Sequence, residues 1–268
     1  MNNISIILLV VYFIMFSACE KDNNNENTPT LKESNPIEYF SESFKKGIIA
    51  YYPFNNGSLK DASGNGHDLT NSSSAKHSSD KNGVLNNAFE FDNIPYSNEK
   101  LILDKADFLN DLDEFSISFW YQATDNTRNE GNFESLISRG SESSCPNKRG
   151  DWSIGMYDSR RIVFGRLNDV WENFYYPNFM ENKIKYWHHV TASFNKKNNN
   201  KIKLYINGNM HGENEDIANC LETPTIKNLG NLIIGENYTG KIDDIIIHNR
   251  ELTSDEIFDV FYNGPSNR

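Results

Sequence analysis

Two adjacent carboxylates lie near the end of the chain inside an apolar run typical of a β-strand. Asp243 and Asp244 follow Ile242 and precede the isoleucines at 245–247. Neighbouring residues of a strand point to opposite faces of its sheet, so we expect at least one of these carboxylates to be buried. A buried carboxylate is costly unless backbone donors, a cationic side chain or a metal ion compensates its charge. The sequence therefore predicts a compensated acidic group inside a sheet.

A second set of oxygen atoms lies on an early glycine-rich turn. Residues 61–68 read Asp-Ala-Ser-Gly-Asn-Gly-His-Asp. Carboxylate, amide and carbonyl oxygens are the ligands that calcium prefers. Two interpretations stay open: this turn binds calcium, or Asp61 and Asp243 accept hydrogen bonds from turn amides without a metal.

A third group is an aromatic cluster in the middle of the chain. Residues 170–179 contain five aromatic side chains among Asn, Glu and Pro, without the period of a strand or a helix. Flat aromatic faces beside polar groups suit the rings and hydroxyls of sugars. The alternative is that these aromatics pack in the core or within the loops. The predicted ligand-binding residues are Trp171, Tyr175, Tyr176, Trp152 and Arg160.

Catalysis has little support in the sequence. A retaining glycosidase needs two carboxylates about 5 to 5.5 Å apart, which a strand of the form Glu-x-Asp-x-Glu would deliver on one face. No such strand is present, and the serines and histidines have no recognisable triad spacing. We therefore predict no catalytic residues and no enzyme.

Composition restricts the partners. The formal charge is -11 over 268 residues, with Lys and Arg scattered along the chain. This charge argues against nucleic acid or an anionic membrane surface as a partner, and it suits a solvated extracellular protein.

The amino terminus predicts export. Residues 1–18 are predicted to be a signal peptide, because their apolar run, residues 4–18, is too short to span a bilayer comfortably. Residues 16–19, Phe-Ser-Ala-Cys, resemble a bacterial lipobox, which implies lipidation of Cys19; an ordinary secretory signal is the alternative. Residues 19–43 are polar and rich in Asn and are predicted to be a disordered tether. They resemble the tethers of outer membrane lipoproteins at the cell surface.

Once Cys19 is set aside, two cysteines remain, Cys145 and Cys220. In an oxidising compartment they are expected to form a disulfide, worth about 4 kcal/mol in the chain-entropy model. The alternative is two free thiols. The absence of a CxxC motif argues against a zinc site.

Residues 44–268 are predicted to form one β domain. Short runs with period two, such as 115–121, recur between polar breaks and indicate about ten to thirteen strands in two packed antiparallel sheets. Asn207-Gly208 predicts a tight hairpin turn. One convincing helix follows Thr253, which forms a capping-box pattern with Glu256.

The chain resembles the laminin-G-like branch of the concanavalin-A-like lectin/glucanase superfamily. The resemblance is carried, in order, by Tyr-Pro-Phe at 52–54, the turn at 61–66, Ala-Phe-Glu-Phe-Asp at 88–92, the strand at 115–120, Trp-His-His-Val at 187–190, Tyr-Ile-Asn-Gly at 205–208 and Gly-Lys-Ile-Asp-Asp at 240–244. It implies a jelly-roll sandwich of two curved sheets. It also implies a structural calcium held by Asp61, Asn65, His67 and Asp243.

Together these features favour a non-catalytic, surface-anchored lipoprotein that binds glycan, either polysaccharide or host sugars. The second interpretation is a module for protein–protein adhesion or assembly. A glycoside hydrolase is the third. The fold resemblance supports this order but does not identify the ligand.

Overall fold

The computed structural model describes residues 35–93, 98–110, 112–124, 133–141, 152–157, 161–165, 185–199, 201–215 and 229–264. These residues contain strands β1 (Ile48–Tyr52), β2 (Lys76–Ser78), β3 (Ala88–Phe91), β4 (Leu101–Leu103), β5 (Glu114–Ala123), β6 (Phe133–Ser141), β7 (Trp152–Tyr157), β8 (Arg161–Gly165), β9 (His188–Asn195), β10 (Lys201–Ile206), β11 (Asn209–Glu215), β12 (Leu229–Ile234) and β13 (Gly240–His248). Helices α1 (Glu42–Lys45) and α2 (Ser254–Asn263) flank them. None of the helices in these ranges has the length and apolar character needed to cross a membrane.

The strands form two antiparallel sheets, as expected for the jelly-roll class. The larger sheet has the order β11-β10-β9-β5-β13-β3-β2, with β1 also paired to β13. The smaller sheet has the order β4-β12-β6-β7-β8. The hairpin turn between β10 and β11 is confirmed, since both Asn207 and Gly208 have positive φ.

Alternation along β5 shows how the sequence separates the two faces of the larger sheet. Phe115, Ile117 and Phe119 belong to the main core. Ser118 and Trp120 alternate with them and therefore lie on the outer face. The main core fills the space between the sheets, so the outer face needs a separate cover.

The two ends of the described chain provide that cover. A second apolar cluster joins Phe40, Phe44, Tyr51, Tyr205, Ile246, Leu252, Ile257 and Val260. Phe44 comes from α1, while Ile257 and Val260 come from α2. Helix α2 begins with the predicted capping box, in which Thr253 and Glu256 satisfy each other's backbone amides.

Arg250 links the two covering segments. Its guanidinium donates to the carbonyl oxygens of Ser43 and Lys46 near α1, at 2.8 and 2.7 Å, and to both carboxylate oxygens of Glu256 on α2. Burial acts to raise the pKa of Glu256, but the hydrogen bonds from Arg250 and Thr253 lower it to about 2. The pair is therefore ionised throughout the physiological range, and Arg250 joins α1 to α2.

The boundary predicted for the tether is wrong for residues 35–43. Pro36–Tyr39 form a 3-10 helix, α1 begins at Glu42, and Phe40 is 7% exposed. The two phenylalanines at positions 40 and 44 give the physical reason, because they lie on each other and on the outer face of the sheet. The folded unit therefore begins earlier than the polar composition suggests.

Replacing Phe44 with alanine tests whether this segment contributes to stability. Phe44 is 1% exposed and its ring contacts that of His248, so we expect Phe44→Ala to lower the free energy of unfolding by about 3 kcal/mol. Glu42→Ala, an exposed change in the same helix, is the control and should leave the denaturant midpoint nearly unchanged. Equal midpoints for the two variants would contradict a stabilising role for the segment.

Candidate functional site

The two adjacent carboxylates of β13 lie at a β-bulge. Asp243 pairs with Trp120, and the register then shifts before Ile246 pairs with Ser118. Asp244 accommodates the extra residue by adopting a positive φ of 49°. The expectation that the two carboxylates point to opposite faces is therefore wrong, because a bulge interrupts the alternation. Both are turned to the outer face of the larger sheet.

Hydrogen bonds compensate part of the cost of this burial. Asp243 and Asp244 are 2% and 7% exposed. The Tyr51 hydroxyl donates to Asp244 Oδ1 at 2.9 Å, and the Asp244 amide donates to Asp243 Oδ1 at 2.7 Å. Burial and the neighbouring Asp244 charge raise the pKa of Asp243 well above its ordinary value. The pair is thus an electrostatically strained feature of the fold.

A cation and an aromatic ring lie beside this pair. Lys81 Nζ is 4.7 Å from the centroid of the Trp120 ring, which is within the range of a cation–π interaction. Burial lowers the pKa of Lys81, while the charges of Asp244, Asp80 and Asp243 act to raise it. These opposed effects show that the ammonium is partly desolvated among carboxylates.

The same ring also contacts His189 and Phe261. The His189 ring centroid lies 5.1 Å from that of Trp120, and the Phe261 ring is stacked at 5.7 Å. Ser118 Oγ and His189 Nε2 are 2.8 Å apart, so one ring nitrogen is used within the sheet. Burial, together with the charge of Lys81, lowers the pKa of His189 to about 3, so its imidazole is neutral at physiological pH. We call Lys81, Trp120, His189, Asp243 and Asp244 the Trp120 cluster.

Sequence reasoning identified the acidic pair but missed the other three members of this cluster. Lys81 lies between β2 and β3, far in sequence from both Trp120 and the acidic pair, and its surroundings resemble an ordinary polar loop. The one local signal was Trp120 itself, a large aromatic on the strand face that otherwise carries Ser116 and Ser118. An outward-facing tryptophan between buried serines indicates that another element covers that face.

The predicted calcium ligands are arranged as a hydrogen-bonded turn. Asp61 Oδ1 accepts from the amides of Tyr51 and Ser63, and Oδ2 accepts from the Ser63 hydroxyl and the His67 amide, at 2.8 to 3.1 Å. The His67 carbonyl accepts from Tyr52, and Asn65 Nδ2 donates to the carbonyl of Ile49.

This geometry favours the interpretation in which turn amides satisfy Asp61 without a metal. Four donors occupy its carboxylate, so no lone pair is directed to an ion. Within the described ranges, no group of three His, Cys, Asp or Glu residues is placed to hold a metal. The carboxylate of Asp61 as oriented does not fit calcium, and calcium binding remains an untested prediction.

The predicted ligand-binding residues divide into two groups. Trp152 is described, but it is 2% exposed and lies in the main core against Phe115, so its assignment to a binding surface is corrected. It alternates along β7 with Ser153, and the inward position gives the physical reason. Trp171, Tyr175, Tyr176 and Arg160 lie outside the described residues, as do Cys19, Cys145 and Cys220.

The chain matches a family model, Laminin_G_3, described as the concanavalin A-like lectin/glucanases superfamily, over residues 97–258. No curated protein sequence matches it. It is similar to the binding domain of botulinum neurotoxin DC solved in complex with rat synaptotagmin II, with a TM-score of 0.62 and 19% identity over 81% of this chain and 52% of that chain.

Two further structures are similar to this chain with slightly lower TM-scores. One is of botulinum neurotoxin type C, whose cell entry is described as dependent upon interaction with two ganglioside molecules, with a TM-score of 0.58 and 20% identity over 82% of this chain and 51% of that chain. The other is the binding domain of Paraclostridial Mosquitocidal Protein 1, with a TM-score of 0.58 and 18% identity over 81% and 52%. The chain therefore spans about half the length of these proteins, and the likeness shows the fold.

Calcium titration separates the two interpretations of the Asp61 turn. Since four donors already occupy the carboxylate, we expect the melting temperature to be the same in EGTA and in millimolar calcium. Asp61→Asn should destabilise the protein by about 2 kcal/mol in both conditions, because the amide NH2 cannot accept the bonds made to one oxygen. A calcium-dependent rise in melting temperature that Asp61→Asn abolishes would establish the metal site instead.

The acidic pair predicts a pH dependence of stability. The folded pKa of Asp243 is raised, so its favourable contribution is present below the unfolded value of about 3.9 and is lost as pH rises through the folded pKa. Asp243→Asn should therefore raise the melting temperature at neutral pH and have little effect near the unfolded pKa. Asp104→Asn, an exposed change, is the control. A neutral-pH loss of stability in Asp243→Asn would show that the ionised carboxylate stabilises the fold.

Proposed function

This chain belongs to the concanavalin A-like lectin/glucanases superfamily, and we propose that it is a non-catalytic module that binds a glycan. The coarser conclusion, a binding module, agrees with the similar structures, two of which are described as binding domains. The glycan is the finer proposal, and the surface that binds it must be found on this chain's own residues.

The observation that supports the glycan is the connection between β8 and β9. Strand β8 ends at Gly165 and β9 begins at His188, and the intervening sequence contains Trp171, Tyr175 and Tyr176. At the described end of this connection, the side chain of Tyr186 is 62% exposed. Aromatic side chains presented among polar residues are the usual platform for a sugar ring, since they offer an apolar face beside hydrogen-bonding groups.

Three of the described carboxylates, each of which accepts hydrogen bonds within the fold, support a non-catalytic role. Asp61 is committed to four donors, and Asp244 accepts from Tyr51. Glu134 is 1% exposed and accepts from the amide of Thr239. These groups hold loops and strands in place, whereas a glycosidase needs a pair of carboxylates that faces its substrate.

A protein partner is the second candidate, because a specific exposed surface favours it. Phe258 and Tyr262 are 51% and 66% exposed on α2, and their rings are parallel within 7° at 5.9 Å. Met210, 55% exposed, lies on β11, which α2 also contacts. Exposed apolar groups that are contiguous often mark a protein interface.

We also propose that the protein is exported and anchored to the outer membrane at the cell surface through Cys19, with Cys145 and Cys220 forming a disulfide. The supporting features are the apolar segment and lipobox-like residues at 1–19 and the placement of both later cysteines in polar sequence. A tethered module of this kind would present its loops to polysaccharide or host glycans.

Glycan-array binding tests the proposed function. We expect the full-length protein to bind a subset of glycans, and Trp171→Ala and Tyr175→Ala to weaken that binding about tenfold, corresponding to one lost stacking contact of about 1.4 kcal/mol. Tyr39→Ala is the matched control, because Tyr39 is 51% exposed and lies in the amino-terminal 3-10 helix.

Two other outcomes would contradict the proposal. A protein partner that binds the chain and is lost in Phe258→Ala, together with an array that shows no glycan, favours the second candidate. Release of sugar from a polysaccharide, abolished by one acidic substitution, would identify an enzyme.

A further inference from the structure

Lys81 occupies the face of Trp120 as a ligand would. Its Nζ lies 4.7 Å from the ring centroid, and Phe261 stacks on the same ring. Lys81 belongs to the connection between β2 and β3, where residues 82–85 are exposed, so the side chain reaches the sheet from a surface loop. An ammonium held over tryptophan from a surface loop is an intramolecular model of a bound cation.

The surroundings hold more negative than positive charge. The carboxylates of Asp80, Asp243 and Asp244 all act on the charge of Lys81. Asp80 accepts from the amides of Asn82 and Val84 in its own loop, whereas the other two belong to the bulge of β13. Acidic groups whose charges act on one ammonium favour a cationic ligand over an anionic one.

A second, independent observation is a polar atom without a partner at the same face. His189 is 1% exposed, and its Nδ1 has no hydrogen-bond partner among the described residues. Its other ring nitrogen pairs with Ser118, and the ring lies against Trp120. An unsatisfied nitrogen of this kind is costly in a buried site, and a ligand hydroxyl or amine can remove the cost.

We propose that the Trp120 cluster is a binding site for the primary ammonium group of an amino sugar, and that Lys81 occupies the site until such a ligand displaces it. The aromatic face receives the ammonium, Asp244 compensates its charge, Asp243 accepts a hydrogen bond from it, and His189 Nδ1 pairs with a neighbouring polar group of the sugar. This inference rests on the proposed glycan binding and names the class of glycan: one that carries free, non-acetylated amines. The site lies on the sheet and not on the connection that contains Trp171.

The test is calorimetric binding of a glucosamine oligomer to the full-length protein at about pH 6, where the amine is charged. We expect measurable binding to the wild type and about tenfold tighter binding to Lys81→Ala, since an intramolecular competitor lowers apparent affinity by the fraction of time for which the face is free. Lys76→Ala, a change of an exposed lysine in β2, is the control and should bind like the wild type. The N-acetylglucosamine oligomer of the same length should not bind Lys81→Ala more tightly than it binds the wild type.

Thermal unfolding keeps the inference testable if Lys81→Ala is destabilised. The glucosamine oligomer should then restore its melting temperature, and the N-acetylated oligomer should not. Trp120→Leu should abolish the glucosamine effect. A melting curve of this variant without ligand shows whether it is folded.

Three results would overturn the inference: no binding of the glucosamine oligomer to the wild type, equal affinity for wild type and Lys81→Ala, or equal gain with the N-acetylated oligomer. Failure of the proposed function would give a different result, because the array would then show no glycan binding that depends on Trp171 and Tyr175. Loss of one effect with retention of the other therefore identifies which proposal is wrong.

Discussion

Strand β13 sets the constraint on which the larger sheet depends, because it pairs with β1, β3 and β5 and still carries two carboxylates. The bulge at Asp244 turns both carboxylates away from the main core, and the inward positions are left to Ile242, Ile245 and Ile247. Tyr51 then connects this strand to the early turn: its amide donates to Asp61 and its hydroxyl to Asp244. One tyrosine thus links the early turn to the acidic strand, the same two elements for which the family resemblance implied a shared calcium ion.

Turning the acids outward creates a polar outer face that must be covered. The segment that begins at residue 35 and helix α2 cover one part of it with apolar side chains, and Arg250 joins the two. The Trp120 cluster covers another part with a tryptophan and a lysine. The outer face therefore has an apolar part, which stabilises the fold, and a charged part. In the charged part, the side chain of Lys81 compensates the charge of the carboxylates.

The sequence was sufficient for the class of fold because alternation, hairpin turns and the capping box are local signals. Phe115 to Phe119, Asn207-Gly208 and Thr253 with Glu256 are confirmed for that reason. The bulge at Asp244, the burial of Trp152 and the docking of Phe40 and Phe44 depend on contacts with residues distant in sequence. Lys81 and Trp120 could not be joined by pattern alone, since period and spacing carry no information about which loop reaches which strand.

Coverage of the sheets also restricts where a ligand can bind. The inner faces pack on each other, and terminal segments cover part of the outer face of the larger sheet, while Lys81 covers Trp120 on another part. Ser138 and Ser153, which pair across β6 and β7, are 8% and 5% exposed, so that outward-facing pair of the smaller sheet offers little free surface either. For the described sheet faces, this coverage favours recognition by the connections between strands or by displacement of a covering side chain. The aromatic connection after β8 represents the first route, and the lysine over Trp120 represents the second.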